Sequence, residues 1–376
     1  MSSRLTSLFF GLLFCAGAAA LPCSAQSVET SPAAQQPTPA AQEQDQDSVK
    51  VFTEEVRLPI FAYDDNGRFD PTLELEDLLV LEDGVPQEVK SLRHVPASIL
   101  LLLCTSGDLN PMMRTSTTRD VALKLVAALR TGDQFSVLQF NSRVELLQDW
   151  TTDKSAVEHV LKTKLHSGRG TRLSEAVRKA IEQLQSRPVG NRHLLIVTDG
   201  VDVPAWADDR ELMKALAIEG AQSQQAQAAF REAVKQLMAA QATVHVVNYR
   251  SLLDPAVAGE RNPGSMTFTG RGFRFDPAMK RLHKAYLKAM QKSAEQLSRL
   301  VEETGGRMWL PSSAEEMIAE GSAIARDIGS QYVITYRPKR PLAAAATGEY
   351  RSINIAPRRL GLHLRTRRGY IVNRAS

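Results

Sequence analysis

Four short runs of apolar residues alternate with amphipathic stretches through the middle of the chain. Nearly every residue within a run is apolar, which is typical of strands that are buried on both faces. The stretches between the runs repeat apolar residues at helical spacing. This alternation predicts an α/β fold with a doubly wound, mostly parallel sheet. The predicted strands are residues 99–103, 135–140, 194–197 and 244–247.

Helices are predicted on both faces of this sheet, because the amphipathic stretches are long enough for several turns each. An apolar stripe in the last of them is typical of a helix that packs on a core. Residues 143–147 directly follow the second strand and are predicted to form a short antiparallel strand at the edge of the sheet. The predicted helices are residues 117–130, 154–164 and 172–185, part of 209–240, and 276–303.

The segments on either side of the α/β part have the two-residue period of strands. Turn signals at residues 64–67 (Asp-Asp-Asn-Gly) and 82–84 (Glu-Asp-Gly) separate short strands in the first segment. Because a few strands are marginal alone, we expect the two segments to pack together as a small β domain. The α/β domain, residues 97–329, would then be inserted between residues 49–96 and 330–376. Strands are predicted at residues 51–58, 78–81, 332–336, 351–355, 362–365 and 370–372.

The N-terminal residues predict export. Arg4 precedes an apolar run at residues 8–20, and Ser24 and Ala25 are small residues before Gln26, which is typical of a cleaved signal peptide over residues 1–25. The run is too short to span a membrane, so we expect a periplasmic or secreted protein with no integral membrane segment after cleavage. The next segment, residues 26–48, is rich in Ala, Gln and Pro and is predicted to be a disordered linker.

Composition and charge exclude several classes of protein. The chain has 376 residues, 43% of them hydrophobic and 23% charged, as in ordinary globular proteins. A formal net charge of +4 argues against nucleic-acid binding, and aromatic residues are not interleaved with the basic ones as stacking platforms. Residues 337–376 carry ten Lys and Arg against one acid, and residues 271–300 carry eight against two. We expect solvated faces there, which in an exported protein could meet anionic envelope polymers or lipid head groups.

Polar residues follow two of the predicted strands, at the end where doubly wound sheets bind their ligands. Residues 104–108 (Cys-Thr-Ser-Gly-Asp) follow the first strand, residues 198–200 (Thr-Asp-Gly) follow the third, and residues 168–171 (Gly-Arg-Gly-Thr) precede a helix. Hydroxyls and carboxylates would thus converge from three loops, which suits Mg²⁺. His166 and His193 are expected to be polar residues of a loop or strand edge, not ligands. The candidate metal ligands are Ser106, Asp108, Thr171 and Asp199.

At these loops the sequence resembles the von Willebrand factor A (vWA) domain family, over roughly residues 97–329. The shared features are an apolar strand leading into Thr-Ser-Gly, a Gly-Thr before a helix, and the strand Leu-Leu-Ile-Val-Thr-Asp-Gly. Residues 83–87 (Asp-Gly-Val-Pro-Gln) and 329–336 (Gly-Ser-Gln-Tyr-Val-Ile-Thr-Tyr) further resemble the bacterial exported VWFA-related Acidobacterial domain proteins. The resemblance implies a Rossmann-like vWA domain and a binding or adhesion role toward a protein or cell-envelope ligand.

The resemblance also implies a metal-ion-dependent adhesion site, written D-x-S-x-S with a later Thr and Asp, where a carboxylate of the ligand completes the coordination of the metal. The positions in this chain are Cys104, Ser106, Asp108, Thr171 and Asp199. The pattern is degenerate, because the first Asp is Cys104 and the second Ser is Asp108. Since a neutral thiol is a poor ligand for Mg²⁺, we expect the protein to bind Mg²⁺ weakly or not at all.

An enzyme is the alternative class of function. A hydrolase or thiol enzyme would use Cys104, Asp108 and Asp199. The C-x5-R pattern of phosphatases requires Arg where the chain has Asn110, Ser106 is not in a G-x-S-x-G elbow, and no glycine-rich nucleotide-binding motif occurs. We therefore predict that the protein is not an enzyme and that Cys104 is a small buried residue at a strand end.

Overall fold

The computed structural model describes residues 54–106, 115–202, 224–249 and 277–372, together with residues 211 and 214. The predicted signal peptide and linker, residues 1–48, lie outside this part of the chain. The candidate ligand Asp108 also lies outside it.

A six-stranded sheet forms the centre of the described structure. Its strands are β5 (Ser98–Cys104), β6 (Gln134–Phe140), β7 (Val144–Thr151), β8 (Arg192–Thr198), β9 (Ala242–Asn248) and β10 (Met308–Trp309). They lie in the order β10-β9-β8-β5-β6-β7, and every neighbouring pair is parallel except β6 and β7. β5, β8 and β9 are buried along their whole length, which explains their apolar sequences. The predicted mostly parallel sheet and its antiparallel edge strand are confirmed.

Helices cover both faces of the sheet, as predicted for a doubly wound fold. Alternate residues of β5 belong to two cores: Leu101 packs in one and Leu102 in the other. The helices on the Leu101 side are α1 (Thr115–Ala128), α2 (Lys154–Thr163) and α6 (Ala314–Gly329), and those on the Leu102 side are α3 (Leu173–Gln185), α4 (Gln224–Ala239) and α5 (Pro277–Thr304). Within the described residues, no helix combines the length and apolar character that crossing a membrane requires.

α6 is not predicted from the local sequence pattern. Gly321 lies in the middle of this helix, where a Cβ atom would come within 2.7 Å of the carbonyl oxygen of Val121 in α1. The close contact between the two helices therefore requires glycine at position 321. Because glycine lowers helix propensity by about 1 kcal/mol relative to alanine, the residue that packing requires also weakens the local signal for a helix.

Two four-stranded antiparallel sheets flank the α/β part, in the orders β13-β1-β11-β4 and β14-β12-β2-β3. The strands are β1 (Val56–Tyr63), β2 (Leu78–Glu82), β3 (Val85–Gln87), β4 (Val89–Arg93), β11 (Tyr332–Tyr336), β12 (Tyr350–Pro357), β13 (His363–Thr366) and β14 (Gly369–Ile371). Strands that precede the α/β part pair with strands that follow it, as β1 does with β11 and β2 with β12. The structure places the first of these strands, β1, later than the predicted residues 51–58, so that it ends directly before the Asp64 turn.

A buried ion pair lies in the core between these two sheets. Arg351 Nη1 of β12 donates to Glu82 Oε1 of β2 at 2.9 Å. The other carboxylate oxygen of Glu82 accepts hydrogen bonds from the hydroxyls of Tyr336 and Tyr370, at 2.7 and 3.0 Å. The expected solvated face over residues 337–376 is therefore wrong for Arg351, which is 0% exposed because Glu82 offsets its charge.

A second buried polar cluster joins the central sheet to β1. His193 Nδ1 of β8 lies 3.1 Å from His245 Nε2 of β9, and His193 Nε2 lies 2.7 Å from Asn191 Oδ1. Asp327, at the end of α6, lies 3.7 Å from His245 Nδ1 and accepts a hydrogen bond from the Tyr63 hydroxyl at 2.7 Å. The expectation of a strand-edge polar residue is wrong for His193, whose side chain is fully buried because its ring nitrogens have buried partners.

Candidate functional site

The candidate crevice lies at the carboxyl ends of the central strands. β5 stands between β6 and β8, so the chain leaves β5 on one side and returns on the other, which is the position where doubly wound sheets bind ligands. Thr105 follows β5 and donates its N–H to the Phe140 carbonyl at 3.0 Å. Gly168 N–H donates to the Thr105 carbonyl at 3.1 Å, and Ser106 forms a β-bridge with Gly168. The structure thus brings Ser106 against the loop of residues 168–171.

Asn141 connects three parts of the crevice and is not among the residues predicted from the sequence. Its Nδ2 donates to the Thr105 hydroxyl at 3.1 Å, and its Oδ1 accepts from the Arg143 N–H at 3.0 Å. A Cβ atom at Gly168 would lie 2.3 Å from the Asn141 side chain, so only glycine permits this approach. The available signal was a polar amide directly after the buried run that ends at Phe140.

Thr171 and Asp202 hold the loop after β8 against the start of α3. The Thr171 hydroxyl donates to the Val201 carbonyl at 2.5 Å. The Asp202 carboxylate accepts from the N–H of Leu173 and from the Ser174 hydroxyl, the latter at 2.9 Å. Asp202 therefore caps α3 from another loop and places negative charge at the positive end of the helix. This capping role is absent from the sequence predictions because its partner is distant in sequence.

Asp199 is buried at the base of the crevice. One carboxylate oxygen accepts from the Val201 N–H at 3.1 Å, and the other accepts from the hydroxyl of Tyr286 in α5. Burial raises the pKa of Asp199 above its ordinary value, and the Tyr286 hydrogen bond opposes this shift. The sequence places Tyr286 on an apolar helix stripe, whereas the structure shows that its hydroxyl also contacts the crevice.

Cys104 ends β5 and is 1% exposed, so the prediction of a small buried residue is confirmed. It packs among apolar residues of the core on the Leu102 side of the sheet. Burial raises the pKa of the Cys104 thiol to about 12, and the nearby Asp199 charge adds to the shift. The thiol is therefore protonated at neutral pH.

One described position of the crevice is a poor ligand for a hard divalent cation, because Cys104 presents a neutral thiol. The oxygens of Thr171 and Asp199 take part in hydrogen bonds within the crevice but keep lone pairs. Over the part of the chain that the structure describes, no group of three or more His, Cys, Asp or Glu residues is arranged to hold a metal ion. The crevice is thus a polar surface whose groups bond mainly to one another.

Residues 100–201 match the family described as von Willebrand factor type A domain. This part of the chain, about a quarter of its length, is similar to a von Willebrand factor type A domain. The match extends from β5 to the loop after β8, so it includes Ser106, Thr171 and Asp199. No curated protein sequence matches the chain.

Several solved structures match this chain at low similarity. A von Willebrand factor type A protein from Catenulispora acidiphila has 10% identity, covering 81% of this chain and 76% of that one, with a TM-score of 0.40. Conserved hypothetical protein BatB from Bacteroides thetaiotaomicron has 16% identity, 62% and 97% coverage, and a TM-score of 0.34. The vWF domain of the type V pili tip protein Mfa5 from Porphyromonas gingivalis has 11% identity, 63% and 96% coverage, and a TM-score of 0.37.

Proposed function

We propose, on the premise that residues 100–201 belong to a von Willebrand factor type A domain, that this chain is an exported, non-enzymatic binding protein. Its crevice would be presented to a protein or a cell-envelope ligand in the periplasm or outside the cell. The family match is the observation that carries the proposal, because it includes the strands and loops that form the crevice. The exposed side chain of Arg169 lies on one of these loops and offers a contact for the ligand.

Crosslinking tests this proposal at a chosen position. A photoreactive residue at Ser167, which is exposed beside the crevice, should capture a partner from an envelope fraction. The matched control is the same residue at Glu182, which is exposed on α3 and pairs with Arg178. Capture from position 167 and not from 182 is the expected result. Equal capture, or none from either position, would contradict a crevice-based binding role.

The alternative, a hydrolase or thiol enzyme using Cys104, Asp108 and Asp199, requires a thiolate that a reagent can reach. Cys104 is buried and protonated, so in a protein that begins at Gln26 it should resist iodoacetamide for hours and react fully in about 6 M guanidinium chloride. Mass spectrometry measures the modified fraction. Rapid modification of the folded protein would favour the enzyme interpretation.

We further propose that the metal-ion-dependent adhesion site of the family, mapped to Ser106, Asp108, Thr171 and Asp199, binds Mg²⁺ weakly or not at all in this protein. The variant Cys104→Asp with Asp108→Ser restores the usual order of carboxylate and hydroxyl ligands and should gain binding. Magnesium at about ten times its dissociation constant would stabilise the variant by about 1.4 kcal/mol, while the wild type should barely respond.

Thermal melts with and without about 10 mM Mg²⁺ measure this difference within each protein, so any change in stability caused by the substitutions themselves cancels. Adding Asp199→Ala to the variant should remove the response. Strong stabilisation of the wild type by Mg²⁺ would contradict the proposed weak binding, and no stabilisation of the variant would show that these residues are mapped incorrectly.

A further inference from the structure

A cleft of about 660 Å³ lies where the sheet β13-β1-β11-β4 meets the α/β domain. One wall contains residues of β1, β4 and β11, and the other contains Ser98 and Gln134, at the beginnings of β5 and β6. The crevice described above follows the ends of β5 and β8. Seven-residue strands separate the two regions by roughly 20 Å, at about 3.3 Å per residue. The cleft is therefore a separate feature at the opposite edge of the central sheet.

The charge of the cleft is strongly positive. Its lining includes Arg57, Lys90, Arg93 and Arg187, against one acidic residue, Glu55. None of these four cations forms an ion pair within the described residues. Arg57 donates only a long hydrogen bond, 3.5 Å, to the carbonyl of Val189 on the opposite wall. Most guanidinium donors of Arg57 thus remain for another acceptor.

Strand register places the cations and hydroxyls of one wall on the same face of its sheet. Arg57 of β1 is opposite Thr335 of β11, and Thr335 is opposite Ser91 of β4. Arg93 lies two residues after Ser91, so its side chain shares that face. Alternate residues of β1, such as Leu58, point into the core of the β domain. This face therefore presents charged and hydroxyl groups to the cleft.

Arg187 is fixed on the opposite wall. Its guanidinium lies 5.0 Å from the centre of the Trp150 ring and donates to Gln134 Oε1. Its Nε is buried and has no hydrogen-bond partner among the described residues. Arg187 thus lines the cleft with a positive charge that no acidic residue of the described structure pairs with.

Two buried cations lie behind the lining. Arg192 donates to the carbonyls of Arg187 and Ala240, and Arg367, 5% exposed, donates to the Arg57 carbonyl at 3.3 Å. Neither forms an ion pair with an acid in the described part of the chain. Burial lowers the pKa of both, that of Arg367 to about 10, and repulsion from neighbouring arginines adds to the shift. Buried charges in proteins are normally paired with an opposite charge. Within the described residues the charges of Arg192 and Arg367 are not paired in this way, so the electrostatic potential behind the cleft is positive.

Solvation alone would explain Lys90 and Arg93, which are exposed. It does not offset the charges of Arg192 and Arg367, because these side chains are buried. An anion in the cleft would contact the lining cations directly and would oppose the positive potential of the two buried arginines from a distance.

We propose that this cleft binds a ligand with at least two anionic oxygen groups, carboxylates or phosphates. A ligand with two such groups can contact cations on both walls, Arg57 and Arg93 on one and Arg187 on the other. Guanidinium groups bind such oxygens in a bidentate manner, and the hydroxyls of Ser91 and Thr335 add hydrogen bonds. The volume suits a small ligand or a short segment of a polymer. This site is independent of the proposed function of the crevice.

Calorimetric titration of the protein that begins at Gln26 tests the proposal with two probes, inorganic tripolyphosphate and a tetraglutamate peptide, at about 50 mM salt. The wild type should bind at least one probe, and the preferred probe distinguishes phosphate from carboxylate. Arg57→Gln with Arg93→Gln should weaken binding about tenfold or more, and Arg187→Gln should do the same from the other wall. Arg178→Gln removes an exposed charge outside the cleft and should leave the affinity unchanged.

The variant Arg57→Gln with Arg93→Gln changes two exposed side chains, so it should keep the melting temperature of the wild type. It therefore remains a valid test if Arg187→Gln destabilises the fold. Failure of both probes to bind the wild type would overturn the proposal. Equal weakening by Arg178→Gln and by the cleft variants would also overturn it, because the binding would then depend only on total charge.

Discussion

Replacing Glu82 with Ala is expected to lower the free energy of unfolding by about 3–5 kcal/mol, because the Arg351 guanidinium would lose its buried counter-charge and keep only the partly exposed Glu349. The hydroxyls of Tyr336 and Tyr370 would lose their acceptor as well. Urea denaturation of the wild type and the variant measures the difference. This is the largest effect expected from a single substitution, since the ion pair is fully enclosed in the core of the β domain.

Arg340→Ala is the matched control for Glu82→Ala. Arg340 forms an ion pair with Asp83 at 2.6 Å, but its side chain is 53% exposed, so its loss should cost no more than about 1 kcal/mol. Glu82→Leu combined with Arg351→Met should recover most of the stability, because no unpaired charge remains. A loss below about 1 kcal/mol for Glu82→Ala would show that the buried pair contributes little to the stability of the β domain.

Lowering the pH from about 7.5 to 5.5 is expected to destabilise the protein through His193 and His245. Burial lowers the pKa of both well below the ordinary value of about 6.5, and Arg365 and Arg307 add repulsion at His245. Above about pH 6.5 both histidines are neutral in the folded and in the unfolded protein. Below it the unfolded chain binds protons that the folded chain does not, so stability falls by about 1.4 kcal/mol per pH unit for each histidine.

Urea denaturation at several pH values measures this slope. Replacing His193 and His245 with Gln should reduce it by about 2.7 kcal/mol per pH unit below pH 6.5, and each single variant should reduce it by about half as much. His159→Gln, at an exposed position of α2, should leave it unchanged. If the slope of the double variant equals that of the wild type, these histidines are not the groups that become protonated on unfolding.

The central sheet could be predicted from the sequence because a strand buried on both faces is almost uniformly apolar. The predicted strand at residues 99–103 corresponds to β5, Ser98–Cys104. Prediction failed where tertiary packing overrode the local pattern. Gly321 weakens the signal of α6 because its contact with Val121 requires glycine, and Arg351 belongs to a basic segment although its partner makes it a core residue.

The candidate site could also be predicted only in part, because local sequence pattern does not show tertiary packing. The sequence identified the loops after the strands, because the topology of a doubly wound sheet places those loops at one edge. The sequence did not identify the side chains that distant helices and strands contribute to the crevice. Tyr286 reaches Asp199 from α5, and Asn141 reaches Thr105 from the neighbouring strand. Such contacts depend on how helices and strands pack together, which local spacing does not encode.

The affinity of the crosslinked partner tests the binding role of the crevice most directly. Arg169→Glu reverses a charge on the crevice loop, whereas Arg178→Glu makes the same change on the exposed side of α3. With the partner immobilised, the wild type and Arg178→Glu should bind with equal affinity, and Arg169→Glu should bind at least about tenfold more weakly, as expected for loss of a charged contact. Equal affinities for all three proteins would contradict the proposal that the crevice binds the ligand.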